Sequence, residues 1–173
     1  NSTPFTAAGA HSPDPADYPV YMAPDPENFR AVHAVRLLED VAQGGDKLSL
    51  DELIALAYHP VLPAFEVLIP PLLLAARDAS ADARPSAALQ ALASWDYTVS
   101  ANSTAMTLAH FYGLQVNAWA GYPAGLSRKQ RIEYFASEAD PAAMQGLLNA
   151  AIAQLEADFG RWNISWGEVN RFQ

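Results

Sequence analysis

Hydrophobic positions fall into helical stripes over most of this 173-residue chain. The first stripe, Ala31, Ala34, Val35, Leu38 and Val41, recurs at spacings of three and four. It predicts a helix that begins at Glu27 behind Pro26 and stops at Gly44-Gly45. Ser49 and Glu52 are spaced for a capping box, each satisfying a backbone N–H at the start of a short helix through Leu53, Ile54, Leu56 and Ala57. That helix ends near Tyr58-His59, because Pro60 disfavours helix in the residue before it. Residues 63–80 are apolar nearly all round and predict the buried central helix, with Pro70-Pro71 forcing a kink or a break. After a polar link, Pro85 starts a helix through Ala88, Leu89, Leu92 and Trp95. Three more follow: a long one over 103–120, a more polar and basic one from Leu126 to Ser137, and one opened by Asp140-Pro141 and closed by Gly160.

The ends differ from this pattern. Residues 1–26 have no hydrophobic period and carry Pro4, Pro13, Pro15, Pro19 and Pro24, which predicts an extended surface segment. Tyr18, Tyr21 and Met22 are expected to fasten that segment to a core. The last residues, 161–173, are aromatic, with a Trp-Gly turn and weak alternation at Val169 and Phe172, and they predict entry into strand structure. The chain is therefore read as a mostly α fold in three parts: an extended segment (1–26), a helical domain (27–160) and an aromatic tail (161–173). No period of about 34–45 residues recurs, which argues against a solenoid.

Composition narrows the function classes. Hydrophobic residues make up 51% and charged ones 17%, so the sequence is globular rather than disordered. The longest apolar run, VLIPPLLLAA at 67–76, is shorter than the roughly 20 residues of a spanning helix and is interrupted by two prolines, so no membrane insertion is expected. With a net charge of −9 and scattered basic residues, the chain lacks the clustered cationic footprint that nucleic acid requires. There is no cysteine, hence no disulfide, thiolate metal site or thiol nucleophile. The opening Asn-Ser-Thr-Pro run has no Met and no signal sequence, which reads as a start left by cleavage or truncation.

Candidate chemistry is sparse. His11, His33, His59 and His110 form no metal-ligand spacing and are assigned structural or surface roles, and no cofactor is expected. Ser49, Asp51 and Asp140 precede apolar runs and are explained as caps. Asn1 lies in a proline-rich loop, where its amide N–H could donate to an oxyanion. Arg30 lies in the first turn of the first long helix, where a cation opposes the dipole. It is either a surface accident or a guanidinium held there to fix a carboxylate or a loop.

Several segments, in order, resemble the penicillin acylase (penicillin amidase) family of N-terminal nucleophile hydrolases, and within it the branch of acyl-homoserine lactone and aculeacin acylases. They are NSTPF at 1–5, DYPVYM at 17–22, ENFRAVHAVRLLED at 27–40, LSLDELIALAYHP, RPSAALQALASWDYTVSANSTAMTLAHFYG at 84–113, and the closing SWGEVNRFQ. The resemblance spans essentially the whole chain. It implies a helical segment of an αββα hydrolase, internal to the large (β) chain. In that family a serine, or sometimes cysteine or threonine, freed at the start of the large chain attacks an acyl amide, and its own α-amine, with a pKa near 8, serves as base.

The resemblance further implies that Asn1 contributes to an oxyanion hole and that Arg30 steadies the active site. The nucleophile itself is expected upstream of this chain, and more of the pocket after it. The isolated segment is accordingly expected to be inactive and to need the α chain and the rest of the β chain as partners. The implied substrates are small acyl amides: a β-lactam side chain, an acyl-homoserine lactone or a lipopeptide. The implied setting is the bacterial periplasm or secretion. The competing reading is a free-standing helical binding domain that does no chemistry.

Overall fold

In a computed structural model, residues 3–23, 25–45, 47–77 and 86–171 are described. The described structure is almost wholly helical, and its contacts divide the chain into two compact units, Asn1–His59 and Pro60–Gln173. The division falls inside the stretch that the hydrophobic pattern presents as one helical domain.

The first unit begins with α1 (Pro4–Ala7), followed by two 3-10 turns at Gly9–His11 and Pro15–Asp17. The proline-rich segment is therefore locally helical, where an extended run was expected. Pro4 and Pro15 each stand in a first turn, where the missing N–H costs nothing, and Thr3 and Asp14 accept from the backbone N–H groups of Phe5 and Ala16. Tyr18, Tyr21 and Met22 do not reach a core: Tyr21 is 79% exposed and Met22 51%. Among the described residues Tyr18 finds a ring partner, Phe5, at 5.9 Å between centroids.

Helix α2 (Phe29–Gly44) starts two residues later than the pattern predicts. The reason is Asn28, whose Oδ1 accepts from Ala31 N at 3.0 Å and sets the N-cap. Gly45, at φ +72°, takes the left-handed C-cap that other residues rarely adopt. The expected stripe is only partly buried: Ala31 is inside and Val35 and Val41 are half-buried, whereas Ala34 is exposed and Leu38 is 55% exposed. Helix α3 (Leu50–Ala57) is capped as its sequence demands, with both bonds of the Ser49–Glu52 box present.

The second unit holds the main core. Its helices are α4 (Pro63–Arg77), α5 (Ser86–Ala93), α6 (Thr104–Ala118), α7 (Arg128–Glu138), α8 (Pro141–Phe159) and the short α9 (Trp166–Val169). α6 packs on α8 and α5, and α4 packs on α7 and α8. Their contacts bury Ile69, Leu72, Leu92, Leu108, Tyr112, Phe135, Leu148 and Leu155 almost completely. Burying an aliphatic or aromatic side chain of this kind contributes about 1.5–3 kcal/mol, which makes this core the main source of stability.

α4 runs unbroken through Pro70 and Pro71. Neither proline can donate to the carbonyl one turn back. Leu68, Ile69, Leu72, Ala75 and Ala76 are buried along the same helix, and that packing offsets the lost bonds. Trp95 lies beyond the end of α5 but is buried, and its indole N–H donates to Thr98 O at 3.0 Å. The same corner carries the Val61–Thr98 bridge and Tyr97 at φ 61°, a left-handed backbone unusual for a bulky residue.

The tail corrects the strand expectation. Residues 166–169 close into α9, because Ser165 and Glu168 form a capping box and Gly167 N donates to Ala101 O at 2.7 Å. A Cβ at Gly167 would stand 3.1 Å from that same carbonyl, a tight contact that a larger residue could make only if the carbonyl gave way by a few tenths of an ångström.

Candidate functional site

Of the two residues expected to serve catalysis, Asn1 lies outside the described residues. Arg30 is the second residue of α2 and exposed, and it makes no hydrogen bond or ion pair with a described residue. The structure therefore places Arg30 at a helix start facing water, and neither assignment is tested by a contact.

One turn further along α2 lies a feature that sequence reasoning missed. His33, 7% exposed, joins two partners. Its Nε2 lies 3.0 Å from Nδ1 of His59, and its Nδ1 lies 2.9 Å from Nη2 of Arg36. A guanidinium can only donate, so Nδ1 of His33 accepts. For neutral rings this fixes the protons: His33 carries its own on Nε2 and donates to His59, and His59 carries its own on the outward Nε2. Arg36 thus sets the tautomer of both imidazoles. The His33–Arg36 spacing of three along one helix was a usable signal. His59 is 26 positions away, and nothing in the local pattern pointed to it.

Arg36 also faces a concavity of about 160 Å³ between α1 and α2, lined by Thr6, Val32, Val35, Glu27 and Glu39. Two carboxylates and a guanidinium over valine side chains can bind a small polar group. No hydroxyl among the described residues of this concavity is hydrogen-bonded to a base. Among the described residues no three His, Asp, Glu or Cys side chains gather in a way that could hold a metal ion.

The second unit has its own titratable groups. Tyr112 is fully buried, and burial pushes its phenol well above the ordinary range, with Tyr122 nearby adding to the shift. Its hydroxyl has no hydrogen-bond partner, and neither has Nε of Arg131, whose guanidinium sits 5.5 Å from the centre of the Tyr122 ring. His110 is half-buried with its ring 4.8 Å from that of Trp166, and desolvation lowers its pKa. Tyr112, Tyr122 and Arg131 thus lie near one another, while His110 packs against Trp166.

The deciding comparison covers nearly the entire sequence: the profile of the penicillin amidase family matches residues 3–173. The chain belongs to the penicillin amidase family. Membership supports an acylase-like hydrolase role on amide bonds. No curated protein and no solved structure matches the chain. Among the described residues no helix is long and apolar enough to cross a membrane.

Proposed function

We propose that this chain is the helical part of a penicillin-amidase-type acylase whose N-terminal nucleophile lies outside these residues. The observation that carries the reading is the family match over residues 3–173, together with the ordered segments from NSTPF to SWGEVNRFQ. In this reading the substrate is a small acyl amide, drawn from β-lactam side chains, acyl-homoserine lactones and lipopeptides. Asn1 donates to the developing oxyanion, and Arg30 steadies the active site. The partners are the remaining segments of the same enzyme, and the complete protein is exported.

The test is Asn1→Ala in the complete enzyme. Loss of one oxyanion donor should cut turnover about 100- to 1000-fold while thermal unfolding stays in place. Unchanged turnover would sink the assignment of Asn1. An upstream reading frame without a Ser, Cys or Thr at a cleavage site would sink the nucleophile.

A second reading, a helical binding domain without catalysis, draws support from the self-contained core of the second unit. Recovery of amidase activity on mixing the chain with the missing segments would eliminate it.

A further inference from the structure

The second unit carries a groove that the amide-cleavage reading does not use. It lies between α4 and α5 and has a volume of about 340 Å³, within the ordinary range of small-molecule sites. Leu73, Ala76, Leu89 and Ala93 form its apolar surface, and Arg77, Ser86 and Gln90 line the same groove with polar groups. Ala76 is buried in the core and Leu73 and Leu89 are half-buried, so the apolar surface is continuous with packed structure. Arg77 closes the last turn of α4 and is exposed.

The geometry points to a site for an amphiphilic monocarboxylate: a short hydrocarbon chain lying along Leu73, Leu89 and Ala93, with its carboxylate at Arg77. Three considerations select this ligand. The volume and the leucine side chains suit an unbranched chain rather than a polar body. Among the described residues lining the groove the one formal charge is that of Arg77, so a neutral or cationic head is the poorer match. A guanidinium has five N–H donors in a planar fork, enough to engage a carboxylate side-on while keeping another neighbour. Ser86 and Gln90 add neutral donors that a carboxylate oxygen can use. The inference stands apart from the catalytic reading, since it rests only on the groove.

The test uses the 173-residue chain, with octanoate as the probe and octanol and octylamine as controls. Methyl resonances of Leu73, Leu89 and Ala93 report occupancy directly. Octanoate should shift these methyls saturably and bind more tightly than octanol, with octylamine weakest. Lengthening the acid should tighten binding by up to about fourfold per methylene. Arg77→Gln should erase most of the preference for octanoate over octanol, about tenfold, while octanol still binds. Ala93→Phe, a change at an exposed position, should fill the groove and abolish both. Three results each overturn the proposal: octanoate and octanol binding alike, shifts that survive Ala93→Phe, or no saturable shift at all. Because amidase activity is not read, failure here leaves the catalytic reading to its own test.

Discussion

Nε2 of His33 and Nδ1 of His59 lie 3.0 Å apart, joining the middle of α2 to the residue just past the end of α3. Their bond depends on a tautomer that Arg36 imposes. A double-mutant cycle with His33→Ala and His59→Ala should therefore show coupling of about 1 kcal/mol in urea unfolding. Arg36→Met should remove much of that coupling without touching either ring. Strictly additive single effects would mean that the two imidazoles do not cooperate.

Tyr112 presents the opposite case, a buried hydroxyl with nothing to bond. Leaving such a group unsatisfied costs about 1–3 kcal/mol, while the ring itself packs against Phe135 at 6.4 Å. Tyr112→Phe keeps the ring and removes the unmet group. Thermal unfolding should rise or stay level, and a drop of several degrees would reveal a partner for the hydroxyl in solution.

The half-buried His110 gives stability a pH dependence of known sign. Desolvation holds its folded pKa below the ordinary imidazole value of about 6.5, so below about pH 6.5 the unfolded chain binds the proton more readily than the folded one. This contribution is present above that pH, declines as pH falls toward the depressed folded value, and then levels off. Urea midpoints measured from pH 7.5 down to 4.5 should fall less steeply in His110→Gln than in the parent. Parallel curves would clear His110 of any part in the decline.

Arg30 separates stability from function. It is exposed, unbonded to the described residues and set against the helix dipole, so Arg30→Ala should change stability by less than about 0.5 kcal/mol. In the complete enzyme the same change should lower turnover. If stability falls in step with turnover, Arg30 is holding the fold and not the site.

Much of the helical order was legible because its signals are local. Ser49–Glu52, Asp140-Pro141 and Gly160 mark ends through bonds within one turn, and the structure makes each of them. What failed depended on context. The strand expected at the tail gave way to α9 once Ser165 and Glu168 closed their box. The stripe of α2 predicts a helix and a helix forms, yet Leu38 remains 55% exposed, because periodicity records which residues could be covered and not what covers them. The candidate site was the least legible part. Asn1 and Arg30 came from resemblance, whereas the His33–His59 contact needed the chain to fold back over 26 positions.

The two prolines inside α4 carry a consequence for synthesis as well as for structure. A segment that cannot donate to the carbonyls of Glu66 and Val67 is a poor helix by itself, and its order comes from α7 and α8 pressing on it. Those helices lie later in the chain, ending at Phe159. The central helix is thus translated before the helices that complete it. On the ribosome its leucines must wait, uncovered, until the residues up to Phe159 have emerged and the bundle can close around them.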